Sequence, residues 1–427
     1  MKRILLTILT VLSVLMNYGQ DVRQELRQDP HRAAGIFMTY PTADNVVYKQ
    51  APEGKKPFYI NHYGAQGSYY YEDPELYALP LRSLMTADSL GKLTPLGRDV
   101  LRRLSLINQD AHMRWGEISE QGAQQQRSII RRMFFNNPDI FVDGVNASAR
   151  SSTATRSILS MEHALLQLAL LKPMEIRHKA TFHHQYYINP QDKELADKRM
   201  DAATTAHFAA FAEKHSCDSR LLNALFSDSA YVSRNVDTAQ FCDRLFKVAV
   251  GIQNTFLADS ITLFDLYTQE ELYQKWKVQN AWWYINRGGC TLNGGTQPFM
   301  QRVPLRKMIQ MGDSIATLTF PVVHLRYTHE HVILSLACLL ELNGYGLATN
   351  DLESLEEKGW VNYRIAPMSS NIQMIHYRSG PADDDILVKV LLNEREATLP
   401  VTTDCAPYYH WKDVRAYYLK KLDAYEE

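Results

Sequence analysis

The stretch that most constrains the fold is Pro57–Tyr70, PFYINHYGAQGSYY, because it joins a strand pattern to a loop with two glycines. Phe58, Ile60 and the neighbouring aromatic residues predict a short strand, which Gly64 and Gly67 interrupt. In an open α/β sheet, ligands bind where such strands run into loops, and glycine lets backbone N–H groups approach an anion. The pattern predicts a ligand site after this strand, with an ordinary strand-to-turn connection as the alternative.

Two later segments have the same form, an apolar strand that runs into a polar loop before an apolar helix. They are the Arg150–Arg156 loop and the Thr328–His331 turn. In a doubly wound sheet, the ends of such strands meet at one edge. We therefore expect these two segments and the Gly64–Tyr69 loop to form a single site.

The two later segments contain side chains suited to phosphate chemistry. Arg150 and Arg156 flank a run of hydroxyl residues, and a guanidinium group binds two phosphate oxygens at once. His329 and Glu330 stand where a strand ends, and a carboxyl group beside histidine acts as a general acid when its surroundings raise its pKa. The structural alternatives are two surface arginines and a polar turn that caps a helix.

The pattern of apolar and polar residues divides the chain into an α/β part and a helical part. Residues 21–171 and 313–427 predict a three-layer α/β/α domain, and residues 172–312 predict a mostly helical cap inserted into it. Within the first part, residues 71–92 look irregular and Ser119 is predicted to cap a helix. Near the end of the chain, two alternating segments joined by a Gly-Pro turn predict antiparallel strands.

The first twenty residues have the pattern of a secretory signal peptide. Lys2 and Arg3 precede an apolar run from Ile4 to Met16. This run is shorter than the roughly 20 residues that span a bilayer. We expect an exported protein, periplasmic or secreted, with no membrane anchor once residues 1–20 are removed.

Charge and cysteine content exclude several other classes of function. A formal net charge of −1 argues against nucleic acid as a partner. The five cysteines are dispersed and form no CxxC motif. The histidines His178, His183 and His184 lack accompanying ligands at metal-site spacing. The sequence predicts neither a metal site nor a cofactor.

Together, these segments resemble the histidine acid phosphatase family, in its multiple inositol polyphosphate phosphatase and phytase-like branch. The signature loop of that family reads R-H-G-x-R after a similar strand. Aligned on His62-Tyr63-Gly64, the five signature positions here are Ala65, Gln66, Gly67, Ser68 and Tyr69. The resemblance covers nearly the whole chain after the signal peptide and includes Gly122 and Gln125 of a G-x-x-Q helix, with Gln126 where histidine is usual.

The resemblance implies roles for the residues that match the family. Arg156 holds the place of an arginine that reaches phosphate from the far side of the site, and Arg150 also looks family-like. His329 and Glu330 match a pair in which the histidine contacts phosphate and the acid protonates the leaving oxygen. Thr328 departs from a position where glycine is common.

The same comparison implies a loss of chemistry in the signature loop. Gln66 replaces the histidine that becomes phosphorylated, and Ala65 and Tyr69 replace the two arginines. Loss of the nucleophile in a comparable covalent system costs on the order of 10⁶ in rate. The leading hypothesis is a catalytically impaired phosphatase-fold protein that binds a phosphorylated or other polar ligand, such as an inositol phosphate. Arg156, His329, Gln66 and the backbone amides of Gly67 and Ser68 are the expected binding groups.

Two alternatives stay open at this point. In the first, the protein is an active phosphomonoester or inositol-phosphate hydrolase that uses His62 as nucleophile and Glu330 as general acid. This requires a shift of the loop register, which would disturb the packing of the strand. In the second, the protein is a non-catalytic interaction scaffold without a small ligand.

Overall fold

The computed structural model describes residues 21–43 and 45–426, so the predicted signal peptide lies outside the described residues. The strands are β1 (Lys56–Ala65), β2 (Asn146–Ser151), β3 (Ile176–Ala180), β4 (Gly289–Cys290), β5 (Val322–Thr328), β6 (Ala348–Thr349), β7 (Asn371–Arg378), β8 (Leu387–Leu392), β9 (Arg395–Glu396) and β10 (Tyr409–His410). The α-helices are α1 (Val22–Gln28), α2 (Pro74–Ser89), α3 (Pro95–Ala111), α4 (Glu120–Asn136), α5 (Thr155–Leu171), α6 (Gln185–Ile188), α7 (Lys193–Lys198), α8 (Ala202–Lys214), α9 (Ser219–Leu225), α10 (Ser229–Asn235), α11 (Thr238–Gly251), α12 (Gln269–Arg287), α13 (Arg302–Ala316), α14 (Glu330–Leu339), α15 (Asn362–Ile365) and α16 (Trp411–Glu426).

The core of the molecule is an eight-stranded mixed sheet with the order β10-β8-β7-β1-β5-β2-β3, and β9 pairs with β8. Strands β1, β5, β2 and β3 run parallel to one another. Strands β7 and β8 are antiparallel, as their alternating sequences predict. Buried side chains line both faces of β1, which suits a strand covered by helices on each side.

Helices cover both faces of the sheet, which confirms the predicted α/β fold. On one face, Ile60 and Tyr327 belong to a hydrophobic cluster with residues of α4 and α5, such as Ile130 and Met161. On the other face, Tyr63 shares a larger cluster with α13, α14 and α16. The two clusters give the three layers of the domain.

The middle of the chain, residues 172–312, is mostly helical. Helices α6 to α12 all lie between residues 172 and 312. A third cluster joins α9, α11 and α12 to α2 and α3, with Trp276 and Phe241 fully buried. This region therefore packs on the α/β layers through an apolar interface.

Strand β3 and helix α13 lie at the two predicted boundaries of the cap, which are set to within about ten residues. Strand β3 lies inside the range predicted as cap but pairs with β2 in the central sheet. Its sequence, IRHKA, is mostly exposed and charged, so it carries no apolar strand pattern. At the other boundary, residue 312 falls inside the continuous helix α13.

Residues 71–92, predicted to be irregular, instead contain helix α2. The Asp73 side chain accepts a hydrogen bond from the Glu75 backbone N–H at 2.9 Å, and Pro74 occupies the first turn. A proline in that position starts a helix rather than breaking one. The predicted cap of α4 is confirmed, because Ser119 Oγ accepts from the Gly122 N–H at 3.1 Å. None of the helices in the described part of the chain is long and apolar enough to cross a bilayer.

Candidate functional site

The parallel register of β1, β5 and β2 brings the three predicted segments to one edge of the sheet. Ala65 at the end of β1 pairs with Thr328 at the end of β5. Ser151 at the end of β2 pairs with Tyr327, one residue earlier on β5. The Gly64–Tyr69 loop, the Arg156 segment and the His329-Glu330 turn therefore start from neighbouring strand ends.

Gln66 connects the ends of β1 and β5. Its backbone N–H donates to the Thr328 carbonyl at 3.0 Å, and its side-chain Nε2 donates to Glu330 Oε2. Its Oε1 is buried and has no hydrogen-bond partner in residues 21–43 and 45–426. The Gln66 amide thus points at the Glu330 carboxyl group.

Glu330, the first residue of α14, is a buried carboxyl group. Burial raises its pKa, and the nearby Arg156 guanidinium opposes that rise. The Tyr69 hydroxyl lies 3.4 Å from Oε1 and donates to it. A raised pKa keeps a carboxyl group protonated at higher pH, which is the state that a general acid requires.

Arg156 lies in the first turn of α5 and reaches both the β1 loop and the β5 turn. Its Nη2 donates to His329 Nδ1 at 3.3 Å, and its Nη1 forms an ion pair with Glu72. Its Cζ lies 4.9 Å from the centre of the Tyr69 ring. Its Nε is buried without a partner in the part of the chain that the structure describes.

His329 is a neutral side chain at physiological pH. Burial and the Arg156 charge lower its pKa to about 4. Its ring stacks on that of His331 with centroids 5.3 Å apart and an angle of 4° between the planes. The lone pair on Nδ1 accepts from Arg156, which leaves Nε2 as the donor toward the site.

The backbone amides of the β1 loop, expected to bind a ligand, are all used within the protein. The Gly67 N–H donates to Ser160 Oγ at 3.0 Å, and the Ser68 N–H donates to Gln125 Oε1 at 3.1 Å. These amides therefore bond to acceptors within the protein, and their role toward a ligand stays a prediction. The physical reason for these internal bonds is that the loop lies against α4, where a Cβ on Gly67 would be 2.5 Å from the Gly122 carbonyl oxygen.

Ala65 and Tyr69, the residues aligned with the two arginines of the signature loop in the sequence analysis, make contacts within the protein. Ala65 is fully buried in the core cluster, and its carbonyl accepts from Gln126 Nε2 at 3.1 Å. Tyr69 packs its ring under Arg156 and places its hydroxyl at Glu330. Tyr69 thus occupies space between the cation and the acid of the site.

Two predicted site residues lie elsewhere. Arg150 donates from Nη1 to the carbonyls of Ala149 and Arg177, at 2.7 and 3.0 Å. Its guanidinium therefore lies along strands β2 and β3 rather than beside Arg156. The two arginines differ because Arg150 lies within strand β2, whereas Arg156 lies in the first turn of α5. His62 is 1% exposed within the β1 ladder, paired with Leu325 and Gln373.

The environment of His62 does not suit a nucleophile. Its ring packs 5.4 Å from that of Tyr327, and burial lowers its pKa to about 3. The ring fills the space beside Gly64, where an added Cβ would lie 2.6 Å from it, and burial of the residue keeps it from a ligand in solvent. The alternative that uses His62 needs the central strand to leave its register with both neighbours.

Sequence reasoning missed two arginines that the helical region contributes. Arg287 is the last residue of α12, and Arg199 follows α7. Burial and then Arg199 lower the pKa of Arg287 to about 9, while Glu330 opposes this. Burial, Arg287 and the other cations hold the pKa of His331 well below its usual range. The charges of Arg287 and Arg199 thus act on His331.

The two arginines have few internal partners. Arg287 Nε is buried without a hydrogen-bond partner, and neither guanidinium forms an ion pair with a carboxylate within the described ranges. The sequence signal was weak, since Arg287 is simply the residue before a Gly-Gly step in NRGGC. The candidate site therefore combines several cationic side chains with the buried Glu330 carboxyl group and the Gln66 amide.

A cavity of about 590 Å³ lies next to this site, on the helical side of Phe37. Its lining includes Lys247, Lys275, Trp282 and Trp283, and none of the predicted site residues. The Phe37 ring, 6.5 Å from the Tyr69 ring, stands between the two. The cavity is therefore separate from the group of residues at the strand ends.

In sequence comparisons, no protein-family model and no curated protein matches this chain. In structural comparisons, it matches the multiple inositol polyphosphate phosphatase of Bifidobacterium longum. The complex with inositol hexasulfate covers 90% of this chain and 97% of its own, with a TM-score of 0.76 and 16% identity. The complex with phosphate gives a TM-score of 0.77 at 16% identity, over 92% of this chain and 98% of the other.

A second neighbour is the phytase from D. castellii, with a TM-score of 0.69 and 12% identity over 92% of this chain and 85% of the phytase. These likenesses extend over the sheet and the helical region together. At such low identity they establish architecture rather than activity. The chain has the histidine phosphatase fold of its structural neighbours.

Proposed function

We propose that this chain is an exported histidine acid phosphatase-like protein that binds a phosphorylated small molecule and is catalytically impaired. The observation that carries the proposal is the position of Gln66. Its amide lies at the end of β1, bonded to Glu330, where the family resemblance expects a nucleophilic histidine. An amide nitrogen is not a nucleophile toward phosphorus, because its lone pair is delocalised into the carbonyl.

Binding is supported by the cationic side of the site. Arg156 and Arg287 each have a buried Nε without a partner among the residues described here. Desolvated guanidinium groups gain most from an anion that supplies several oxygens, because each charge-assisted hydrogen bond is worth roughly 1.5–3 kcal/mol. An inositol phosphate fits this chemistry. The structural neighbours solved with inositol hexasulfate and with phosphate make that ligand class the first to test.

Two features argue against catalysis: the absence of a histidine nucleophile at position 66, and the hydrogen bonds that both carboxyl oxygens of Glu330 already accept. Glu330 accepts from Gln66 on one oxygen and from Tyr69 on the other. A leaving group would have to displace one of these contacts before it could receive a proton. The raised pKa of Glu330 thus persists as a feature of the fold without a covalent step for it to assist.

The proposal is tested with the purified mature protein and two matched ligands. Myo-inositol hexasulfate reports binding without hydrolysis, and inositol hexakisphosphate reports both. We expect both ligands to raise the melting temperature, since a ligand that binds only the folded state stabilises it. We also expect phosphate release no greater than that of a Gln66→Ala variant.

Two outcomes would contradict the proposal in different ways. Phosphate release that survives Gln66→Ala but disappears in Glu330→Gln would mean that the chemistry has been rebuilt on other residues. A melting temperature unchanged by either ligand would favour an interaction scaffold. Export is tested separately, by sequencing the N-terminus of the protein recovered from the extracytoplasmic fraction; a chain that retains residues 1–20 would contradict it.

A further inference from the structure

We propose that Asp404, Cys405 and His410 bind a single divalent transition metal, with zinc as the best fit, at the β10 edge of the sheet. One carboxylate oxygen, the cysteine Sγ and one imidazole nitrogen lie within 4.8 Å of one another. Three donor atoms this close can bind one ion, since zinc bonds to such ligands are about 2.0–2.3 Å long. This group is separate from the strand ends that form the phosphate site.

The orientation of His410 is the second observation. Its Nδ1 lies 2.6 Å from Asp385 Oδ1, and its Nε2 lies 3.1 Å from Asp404 Oδ1. A carboxylate that accepts from one ring nitrogen fixes the tautomer and leaves the other nitrogen free to bind a metal. Asp385 thus supplies the outer partner that metal-binding histidines normally have. The other carboxylate oxygen of Asp385, Oδ2, lies 3.4 Å from Lys55 Nζ.

The donor set selects the class of metal. A thiolate, an imidazole and a carboxylate suit zinc and related borderline ions, whereas calcium and magnesium prefer oxygen ligands. Cys405 Sγ lies 3.4 Å from both Thr403 Oγ1 and the Tyr408 carbonyl, which holds it on the inner side of the loop. Binding releases the thiol proton to solvent, so the thiolate and the carboxylate together neutralise the ion.

The position suggests a structural role. β10 pairs with β8, and Asp385 comes shortly before β8 begins. An ion held by Asp404, Cys405 and His410 would link the loop before β10 to the start of α16, at an edge strand of two residues. Asp404 is exposed, with 82% of its side-chain surface accessible, so an ion can enter from solvent.

The same contacts have an explanation without metal, in which a protonated His410 bridges two aspartates. Burial is slight here, and hydrogen bonds to Asp385 and then Asp404 raise the pKa of His410. The two explanations differ in the part played by Cys405, because an ion pair does not need the thiol. The experiment is therefore built on the cysteine.

The test uses the untagged, metal-free mature chain titrated with Co²⁺, followed by competition with Zn²⁺. We expect one Co²⁺ per chain, a near-ultraviolet thiolate-to-cobalt band, and loss of the band when Zn²⁺ is added. Cys405→Ser should abolish the band. Cys217→Ser, which removes another half-buried cysteine, should leave it unchanged.

Two further measurements keep the proposal independent of folding defects. Asp385→Asn should weaken Zn²⁺ binding by roughly 10–100-fold, the usual cost of losing an outer partner. Zn²⁺ should raise the melting temperature of the parent but not of Cys405→Ser, with the metal-free melting temperatures of the two alike. The proposal is overturned if no thiolate band forms, or if the band survives Cys405→Ser.

Discussion

The two sides of the candidate site differ in how their hydrogen bonds are used. On the β1 side, the backbone amides of Gln66, Gly67 and Ser68 all donate to protein acceptors. On the opposite side, Arg156 and Arg287 each keep a buried Nε without a partner in the described chain. We therefore call the β1 loop the architectural side of the site, and the two arginines its proposed binding side.

The largest effect, on phosphate release, is expected when a nucleophile and a cation are introduced into the β1 loop. In Gln66→His/Tyr69→Arg, the histidine supplies a nucleophile and the arginine a second cation. We expect phosphate release from inositol hexakisphosphate to rise by about a thousandfold over the parent, part of the roughly 10⁶ that a nucleophile contributes. Ala65 is left unchanged, because it is fully buried in the core.

The control for this gain is the same double variant with Glu330→Gln added. If Glu330 is the general acid that its raised pKa suits, the third change should remove most of the new activity. A phosphoenzyme trapped with the double variant should carry its label on residue 66. A double variant that binds ligand but releases no phosphate would show that the β1 loop has lost more than its side chains.

The next effect concerns stability in acid. Burial lowers the pKa of His329 from 6.5 to about 4, so the unfolded chain binds a proton there before the folded one does. The free energy of unfolding therefore falls as pH drops from 6.5 toward 4, by roughly 3 kcal/mol in total for a shift of this size. His329→Gln should remove that share and flatten the profile, measured by denaturant unfolding across this pH window. A slope identical to that of the parent would mean that His329 titrates alike in both states.

A smaller effect, on ligand affinity, is expected when an arginine of the binding side is replaced by alanine. Arg156→Ala should weaken the binding of myo-inositol hexasulfate about thirtyfold, near the 2 kcal/mol of a charge-assisted contact. Its ion pair with the exposed Glu72 should cost little stability on removal. Arg150→Ala is the matched control, since that guanidinium bonds to strand carbonyls away from the site. If Arg156→Ala and Arg150→Ala lost affinity equally, Arg156 would have no special role in ligand binding.

Much of the fold was predictable from local patterns. The glycine loop after β1, the apolar helix after Arg156 and the strand before His329 are each strong signals within short windows. Parallel pairing then brings their ends together, as the topology rule for α/β sheets requires. Strand β3 escaped prediction because it is an exposed edge strand without an apolar pattern.

Side-chain direction and distant partners were the parts that the sequence did not indicate. Arg150 and Arg156 look equivalent in sequence, but one lies along a strand and the other in the first turn of a helix. Arg287 is the last residue of a long helix, more than a hundred residues along the chain from either. The use of the loop amides depends on Ser160 and Gln125, whose partners only packing reveals.

The last prediction tests the architectural side by its packing alone. A Cβ on Gly122 would lie 2.2 Å from the Ser68 carbonyl oxygen and 2.6 Å from its nitrogen, both backbone atoms that cannot rotate away. Gly122→Ala should lower the free energy of unfolding by about 1–3 kcal/mol, as overpacking does elsewhere. Gly380→Ala is the control, because nothing lies within 4 Å of its added Cβ. Both variants are measured by chemical denaturation and by titration with myo-inositol hexasulfate. Gly122→Ala should lose more free energy of unfolding than free energy of ligand binding, whereas Arg156→Ala should lose more of the latter. If Gly122→Ala instead kept its stability and lost its ligand, the β1 loop would belong to the binding side after all.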